Sequence, residues 1–147
     1  MILAVDIGNT NIVVGCIKGE EICFVERMST EATRTELEYA ISFKNVLEMY
    51  GISIEQLDGG IISSVVPPVT NIVKRSVEKI LNTEVMLIGP GVKTGLNILM
   101  DDPRQVGSDR IVNAVAVVHE YPVPAAIIDM GTATTICVVD EKKNYIG

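Results

Sequence analysis

With 147 residues, 48% of them hydrophobic and 21% charged, the chain has room for a real core and no polar low-complexity tract, which excludes a disordered segment. A formal net charge of −7 argues against nucleic acid, whose binding needs clustered Lys and Arg, while leaving open a nucleotide that arrives with Mg²⁺. Cys16, Cys23 and Cys137 form no CxxC pair and have no histidine nearby, so reduced thiols are expected rather than zinc. The opening apolar run over 2–5 is too short for a signal peptide, and no stretch approaches the roughly 20 apolar residues of a membrane span, so a soluble cytoplasmic protein is expected.

Aromatic residues are only 4%, so the core must be built from Val, Ile and Leu, the composition of a buried parallel or mixed sheet in an α/β protein. In chain order, residues 2–5 read as a strand, 6–11 as a polar loop and 12–17 as a second strand. Lys18-Gly19-Glu20 then turns into a third strand over 22–25. Thr35 and Glu38 have the spacing of a capping box. The helix they open has an apolar face of Leu37, Ala40, Ile41 and Leu47, and Gly51 ends it. A fourth strand is expected over 61–66. Pro67-Pro68 then starts a helix with the stripe Val69, Ile72, Val73, Val77, Ile80 and Leu81. A strand over 85–88 leads into the glycine-rich loop 89–95. A helix is expected over 108–119, then strands over 125–129 and 134–139, with Lys142-Lys143-Asn144 turning toward a third.

Residues 4–13 and 127–136 are alike: each is an apolar strand, an Asp-x-Gly with a small polar loop, and another apolar strand. The first copy carries helices, whereas the second has only its opening strands. The pattern predicts a first lobe over 1–120 and an incomplete second lobe over 121–147, that is, a piece of a longer duplicated protein.

Asp-x-Gly between strands suits phosphate. The glycine lets backbone amides approach closely, Thr10 and Asn11 add donors, and Asp6 offers a carboxylate to Mg²⁺ directly or through water. A second hairpin with Asp129, Gly131, Thr132 and Thr134 can clamp a polyphosphate from the other side. Such a loop is also an ordinary hairpin turn, and it is the repetition that favours function. The run Gly89-Pro90-Gly91-Val92-Lys93-Thr94-Gly95 is not a Walker A motif, because Val92 precedes Lys93 and no helix pattern follows. It either shapes a loop or lines a substrate pocket. Gly107-Ser108-Asp109-Arg110 opens a helix. Ser108 or Asp109 is either an N-cap, or Asp109 is a general base at a helix end that favours negative charge, with Arg110 meeting an anionic group. His119 near that helix's C-terminus reads as a surface residue, which removes Ser-His-Asp chemistry. Tyr39 and Tyr50 read as packing or surface residues.

Taken in order, Asp6-Ile7-Gly8-Asn9-Thr10-Asn11, Ser63-Ser64-Val65-Val66-Pro67, Pro90 to Leu96, Gly107 to Arg110 and Asp129 to Thr135 resemble the successive signatures of the type III pantothenate kinases. The resemblance implies a ribonuclease H-like (actin-like ATPase) α/β lobe with a mixed five-stranded sheet and flanking helices, followed by the first strands of a duplicated lobe. It implies ATP-dependent phosphorylation of pantothenate to 4′-phosphopantothenate, the first step of coenzyme A biosynthesis, with Mg²⁺, a monovalent cation (K⁺ or NH₄⁺) and a homodimer. By position, Asp6, Ile7, Gly8, Asn9, Thr10, Asn11, Ile12 and Val13 would contact the ATP phosphates, joined by Gly131 and Thr132. Asp109 would accept the proton, with Met100, Gly107, Ser108 and Arg110 beside pantothenate and Asp129 on the monovalent cation.

Two positions depart from the family's pattern: Met100 stands where a Tyr is frequent, removing a hydroxyl contact, and Ser108 where Ala is frequent. Family chains also run longer, so the present chain is expected to be weakly active or inactive alone. The alternatives are a non-catalytic binding or regulatory protein on the same scaffold and another small-molecule kinase of the superfamily. The residues from Gly107 to Arg110 argue against the second.

Overall fold

The computed structural model describes residues 1–89 and 91–147. Pro90, which belongs to the glycine-rich loop and to one of the family-like motifs, lies outside the described residues. The chain forms two compact units, Met1–Ile88 and Gly89–Gly147.

In the first unit β1 (Ile2–Ile7), β2 (Asn11–Lys18) and β3 (Glu21–Ser29) make an antiparallel meander. β4 (Gly59–Ser64) and β5 (Met86–Leu87) add in parallel on the other side of β1, giving the order β3-β2-β1-β4-β5. Parallel neighbours need crossovers, and α1 (Glu36–Met49) and α2 (Pro67–Leu81) supply them. This is the mixed five-stranded sheet expected above. Strand periodicity sends Leu3, Val5 and Ile7 to one face and Asp6 to the other. The buried face is completed by Ile12, Val14 and Cys16, register partners of Ile7, Val5 and Leu3, and packs in one core with Phe43 and Val73.

The helices start where their sequences say. Thr35 caps α1: its N–H donates to Glu38 Oε2 at 2.7 Å and Glu38 N–H returns a bond to the Thr35 hydroxyl at 3.4 Å. Gly51 follows the helix with φ +66°, a conformation that glycine adopts without strain. The face differs from the expected one. Tyr39, Ala40, Phe43 and Leu47 are buried, whereas Leu37 and Ile41 are 60% and 50% exposed. At 100° per residue Leu37 lies about a third of a turn, and Ile41 nearly half a turn, away from Phe43 at the centre of the buried stripe. Tyr39 is the better anchor, because its hydroxyl donates to the Glu31 carbonyl and accepts the Glu31 N–H, each at 2.9 Å. Ser76 links the helices by donating to the Glu36 carbonyl at 2.9 Å. β4 begins two residues earlier than expected, at Gly59. A Cβ on Gly60 would lie 3.2 Å from Leu81 Cδ1, so the small residue is part of the packing.

The second unit has a four-stranded sheet, β6-β9-β8-β7, built from β6 (Asn97–Ile98), β7 (Ala125–Met130), β8 (Thr134–Val139) and β9 (Asn144–Tyr145). α3 (Ser108–Glu120) packs on β7 and β8, with Ala114, Cys137, Val139 and Tyr145 forming the core. The sequence reading draws the lobe boundary after residue 120. The compact units divide instead after Ile88, because the buried side of α3 sits with the second hairpin. The strand β6 was not foreseen: it is two residues long and is held by pairing with β9, far along the chain. Among the described residues no helix is long and apolar enough to cross a membrane, and the three cysteines are free.

Replacing Thr35 by Ala removes the cap and is expected to cost about 1 kcal/mol in urea unfolding at neutral pH. The Thr35 N–H and hydroxyl hold the Glu38 carboxyl below the usual glutamate range. A folded-state value depressed below the unfolded one stabilises above the unfolded value and is lost as pH falls through the folded value. The gap between wild type and Thr35→Ala should therefore narrow in acid.

Candidate functional site

At the end of β1 the chain turns through Gly8, Asn9 and Thr10, and the Gly8 N–H donates to the Asn11 carbonyl at 2.9 Å. A Cβ on Gly8 would lie 3.0 Å from that same oxygen, so a residue with a side chain has to displace the backbone. Thr30 braces the turn from β3: its hydroxyl donates to the Gly8 carbonyl at 2.7 Å and its N–H to the Thr10 carbonyl at 3.0 Å. On the other side the Ser64 hydroxyl accepts the Val66 N–H at 3.1 Å and meets the Thr70 hydroxyl at 2.7 Å, fixing the start of α2.

Asp6, Asn9, Thr10 and Asn11 are exposed, and the register sets Asp6 between Val13 and Ser63. Ile7 and Ile12 are fully buried, so any contact they make with a phosphate is through their main chain. Val13 is half-buried on the Asp6 side of the sheet.

The second turn is not a copy of the first. Ile7 pairs with Ile12 across the first turn, whereas Met130 pairs with Thr134 across the second, one residue fewer. The Gly131 N–H accordingly reaches the Ala133 carbonyl at 3.3 Å. The residue-by-residue likeness of the two hairpins therefore slips after Gly131, and Val13 matches Thr135 rather than Ile136. Gly131 and Thr132 are exposed.

Gly107 is the N-cap of α3 and makes no side-chain capping bond, so the reading of Ser108 or Asp109 as the cap does not hold. Ser108 is buried at the first helical position, while Asp109 is half-buried in the first turn and Arg110 is exposed. The Arg110 guanidinium is close enough to the Tyr145 hydroxyl to oppose the upward shift that burial and Cys137 impose on that phenol.

One helical turn beyond Asp109, on the same face, stands Asn113. Its side-chain amide donates to Asp129 Oδ2 at 3.2 Å. The other oxygen of that carboxylate lies 3.9 Å from where a Cβ on Gly131 would sit, so Asp129 bridges α3 and the second turn. The sequence reading missed Asn113. Its signal was the four-residue spacing from Asp109, which places both on one helix face.

Met100 is exposed just past β6, its sulfur 3.7 Å from a Cβ built on Gly147. The glycine-rich loop lines a cavity of about 510 Å³ with Lys93, Thr94, Asn97, Arg104 and Ile111. Gly91 and Gly95 adopt φ +93° and +79° there, so two of the loop's glycines have a backbone reason to be glycine. The Arg104 guanidinium is held by Asp102 at 3.0 Å, and that pairing keeps the Asp102 carboxyl below the usual range.

Among the described residues no three His, Cys, Asp or Glu gather into a cage for a metal. Asp6 and Asp129 are single hard oxygen donors beside glycine turns. This suits Mg²⁺ held mainly by water and phosphate, and a weakly hydrated monovalent cation, rather than a protein-enclosed ion.

A family profile described as type III pantothenate kinase matches residues 2–147. A type III pantothenate kinase of Brevibacillus brevis is 49% identical over all 147 residues, which span 58% of that relative's length. One of Halalkalibacterium halodurans is 46% identical with the same coverage. Among solved structures, a ROK hexokinase from Thermus thermophilus aligns over 99% of this chain and 48% of its own with a TM-score of 0.54. Its 13% identity shows a shared fold and no more.

The two turns predict opposite tolerance. Gly8→Ala should lower the urea unfolding free energy by about 1–3 kcal/mol, because its Cβ meets backbone. Gly131→Ala should change it by less than about 1 kcal/mol, since its Cβ meets nothing closer than 3.8 Å.

Proposed function

The chain belongs to the type III pantothenate kinase family, and from that premise we propose that it supplies the phosphate turns and the substrate helix for ATP-dependent phosphorylation of pantothenate to 4′-phosphopantothenate, the first step of coenzyme A biosynthesis. The observation that carries this is the contact between α3 and the second turn, in which Asn113 on the Asp109 face of the helix holds Asp129 beside Gly131. A proton acceptor and a phosphate-binding turn are thereby organised within one rigid stretch of fold.

In this reading the transfer is direct and in line. The Gly8 and Gly131 turns present amides and the hydroxyls of Thr10 and Thr132 to the phosphate oxygens, and Asp109 takes the proton of the pantothenate primary hydroxyl as it attacks the γ-phosphorus. ADP leaves. Arg110 supplies a fork of donors to the anionic part of the substrate, with Gly107 and Ser108 beside it. Mg²⁺ near Asp6 and K⁺ or NH₄⁺ at Asp129 would neutralise charge on the transferring group. Met100 presents a thioether where a hydroxyl is frequent, so one substrate hydrogen bond is absent from this proposal. Two copies associating is part of the same reading, and the exposed apolar side chains of Ile128, Met130 and Ile136 on one sheet face support association.

The test is pantothenate-dependent ADP release with Mg²⁺ and K⁺, beside Asp109→Asn. Turnover should fall by about 10²–10⁴-fold in the variant, with calorimetric pantothenate binding retained. A chain that neither binds pantothenate nor turns over would remove the reading. A chain that binds ATP and pantothenate without transfer, unaffected by the substitution, would favour the binding-protein alternative. Because the chain spans 58% of the relative's length, turnover is expected to be slow even in the wild type.

A further inference from the structure

We propose that Asn113 is a positioning residue that sets the affinity of Asp129 for its monovalent cation; this rests on the reading of Asp129 given above. Asn is a poorer helix former than Ala, so an interior Asn is held at some cost to the helix. Here its amide is part-buried and committed to a charged partner, Asp129 Oδ2, at 3.2 Å. Hydrogen bonds to charged groups are the stronger class.

The direction of that bond is what matters. With Oδ2 held toward the helix, Oδ1 points to the second turn, 3.9 Å from the place of a Gly131 Cβ. A carboxylate on a strand otherwise rotates about its terminal bond, since that torsion is broad. The amide removes this freedom and leaves one oxygen presented beside the turn. The donor is also neutral. A Lys or Arg at position 113 would pair with Asp129 and compete with a cation for it. An amide orients the carboxylate and leaves its charge available. Thr135, the register partner of Asp129 on β8, lies on the same face of the hairpin, so a second oxygen-bearing side chain of the kind that hard cations take stands beside the carboxylate.

Asn113 also lies one turn from Asp109 on the same helix face, so a single helix carries both the proposed proton acceptor and the group that orients the cation ligand. A shift of α3 along its axis moves both together.

The experiment titrates K⁺ against choline chloride at constant ionic strength and follows the melting temperature of the chain, of Asn113→Ala, of Asn113→Gln, of Asp129→Ala and of the double variant Asn113→Ala/Asp129→Ala. The wild type should gain stability as K⁺ rises. In Asn113→Ala the half-saturating K⁺ concentration should increase by tenfold or more, Asn113→Gln should recover part of that loss, and Asp129→Ala should abolish the response with no further change in the double variant. A merely structural role lowers the melting temperature in choline while leaving the half-saturating K⁺ where it was, and that outcome overturns the proposal. If Asp129→Ala leaves the K⁺ response intact, the reading of Asp129 falls and takes the proposal with it. If Asp129→Ala abolishes the response but Asn113→Ala does not move it, the proposal alone falls.

Discussion

β1 can bury Leu3, Val5 and Ile7 only by turning Ala4 and Asp6 to the opposite face, and the rest of the first unit depends on that alternation. β1 is hydrogen-bonded on both sides, to β2 and to β4, so its register is fixed twice. A slip of one residue would send every core side chain of the strand to the wrong face, at about 1.5–3 kcal/mol for each. The position of Asp6 along the strand is thus set by the register that the core fixes. The turn that follows inherits the same rigidity: Gly8 closes it against Asn11, and Thr30 ties it to the strand two places away in the sheet. Amides held this way need little reorganisation to meet a phosphate, which is what electrostatic catalysis of phosphoryl transfer asks of a protein.

The second hairpin repeats the chemistry and departs from the packing. With the shorter turn taken into account, Val5, Ile7 and Val14 correspond to Ile128, Met130 and Ile136. The first three are core residues under α1 and α2, and the second three are 62%, 82% and 65% exposed. The second hairpin is instead covered on its other face, the one carrying Asp129, by α3. One sequence pattern therefore presents its aspartate to the open side of a sheet in one copy and to a helix in the other. The residues that fill the two neighbourhoods decide the difference: Val13 and Ser63 flank Asp6, whereas Asn113 and Thr135 flank Asp129.

Much of this was legible in the sequence because it rests on local physics. The capping box of Thr35 and Glu38, the stop at Gly51 and the prolines opening α2 are short-range signals, and each sits where the pattern put it. The mixed five-stranded sheet followed from family resemblance, and the structure has it. What escaped was non-local. The two-residue strand β6 exists through its pairing with β9, and the core face of α1 is set by Phe43 and a Tyr39 hydroxyl bonded eight residues back to Glu31, not by Leu37 and Ile41. The N-cap of α3 fell on Gly107, where composition pointed to Ser108 or Asp109. Asn113 carried only its four-residue spacing from Asp109, and that spacing gains meaning once the strand it touches is known.

Charge gives the parts a common logic. The chain has a formal net charge of −7, and the residues with nominated roles include Asp6, Asp109 and Asp129. A polyphosphate brought near such carboxylates is repelled unless cations intervene, and a carboxylate surrounded by further cationic side chains would lose its use as a proton acceptor or cation ligand. The fold answers with neutral donors. The Asn113 amide orients Asp129 without cancelling its charge, and the two turns carry glycine, Thr10 and Thr132 rather than cationic side chains, while Arg110 stands exposed at the start of α3. On this argument the cation dependence proposed above would follow from building the turns on Asp-x-Gly, with a neutral group such as the Asn113 amide aiming a carboxylate without cancelling its charge.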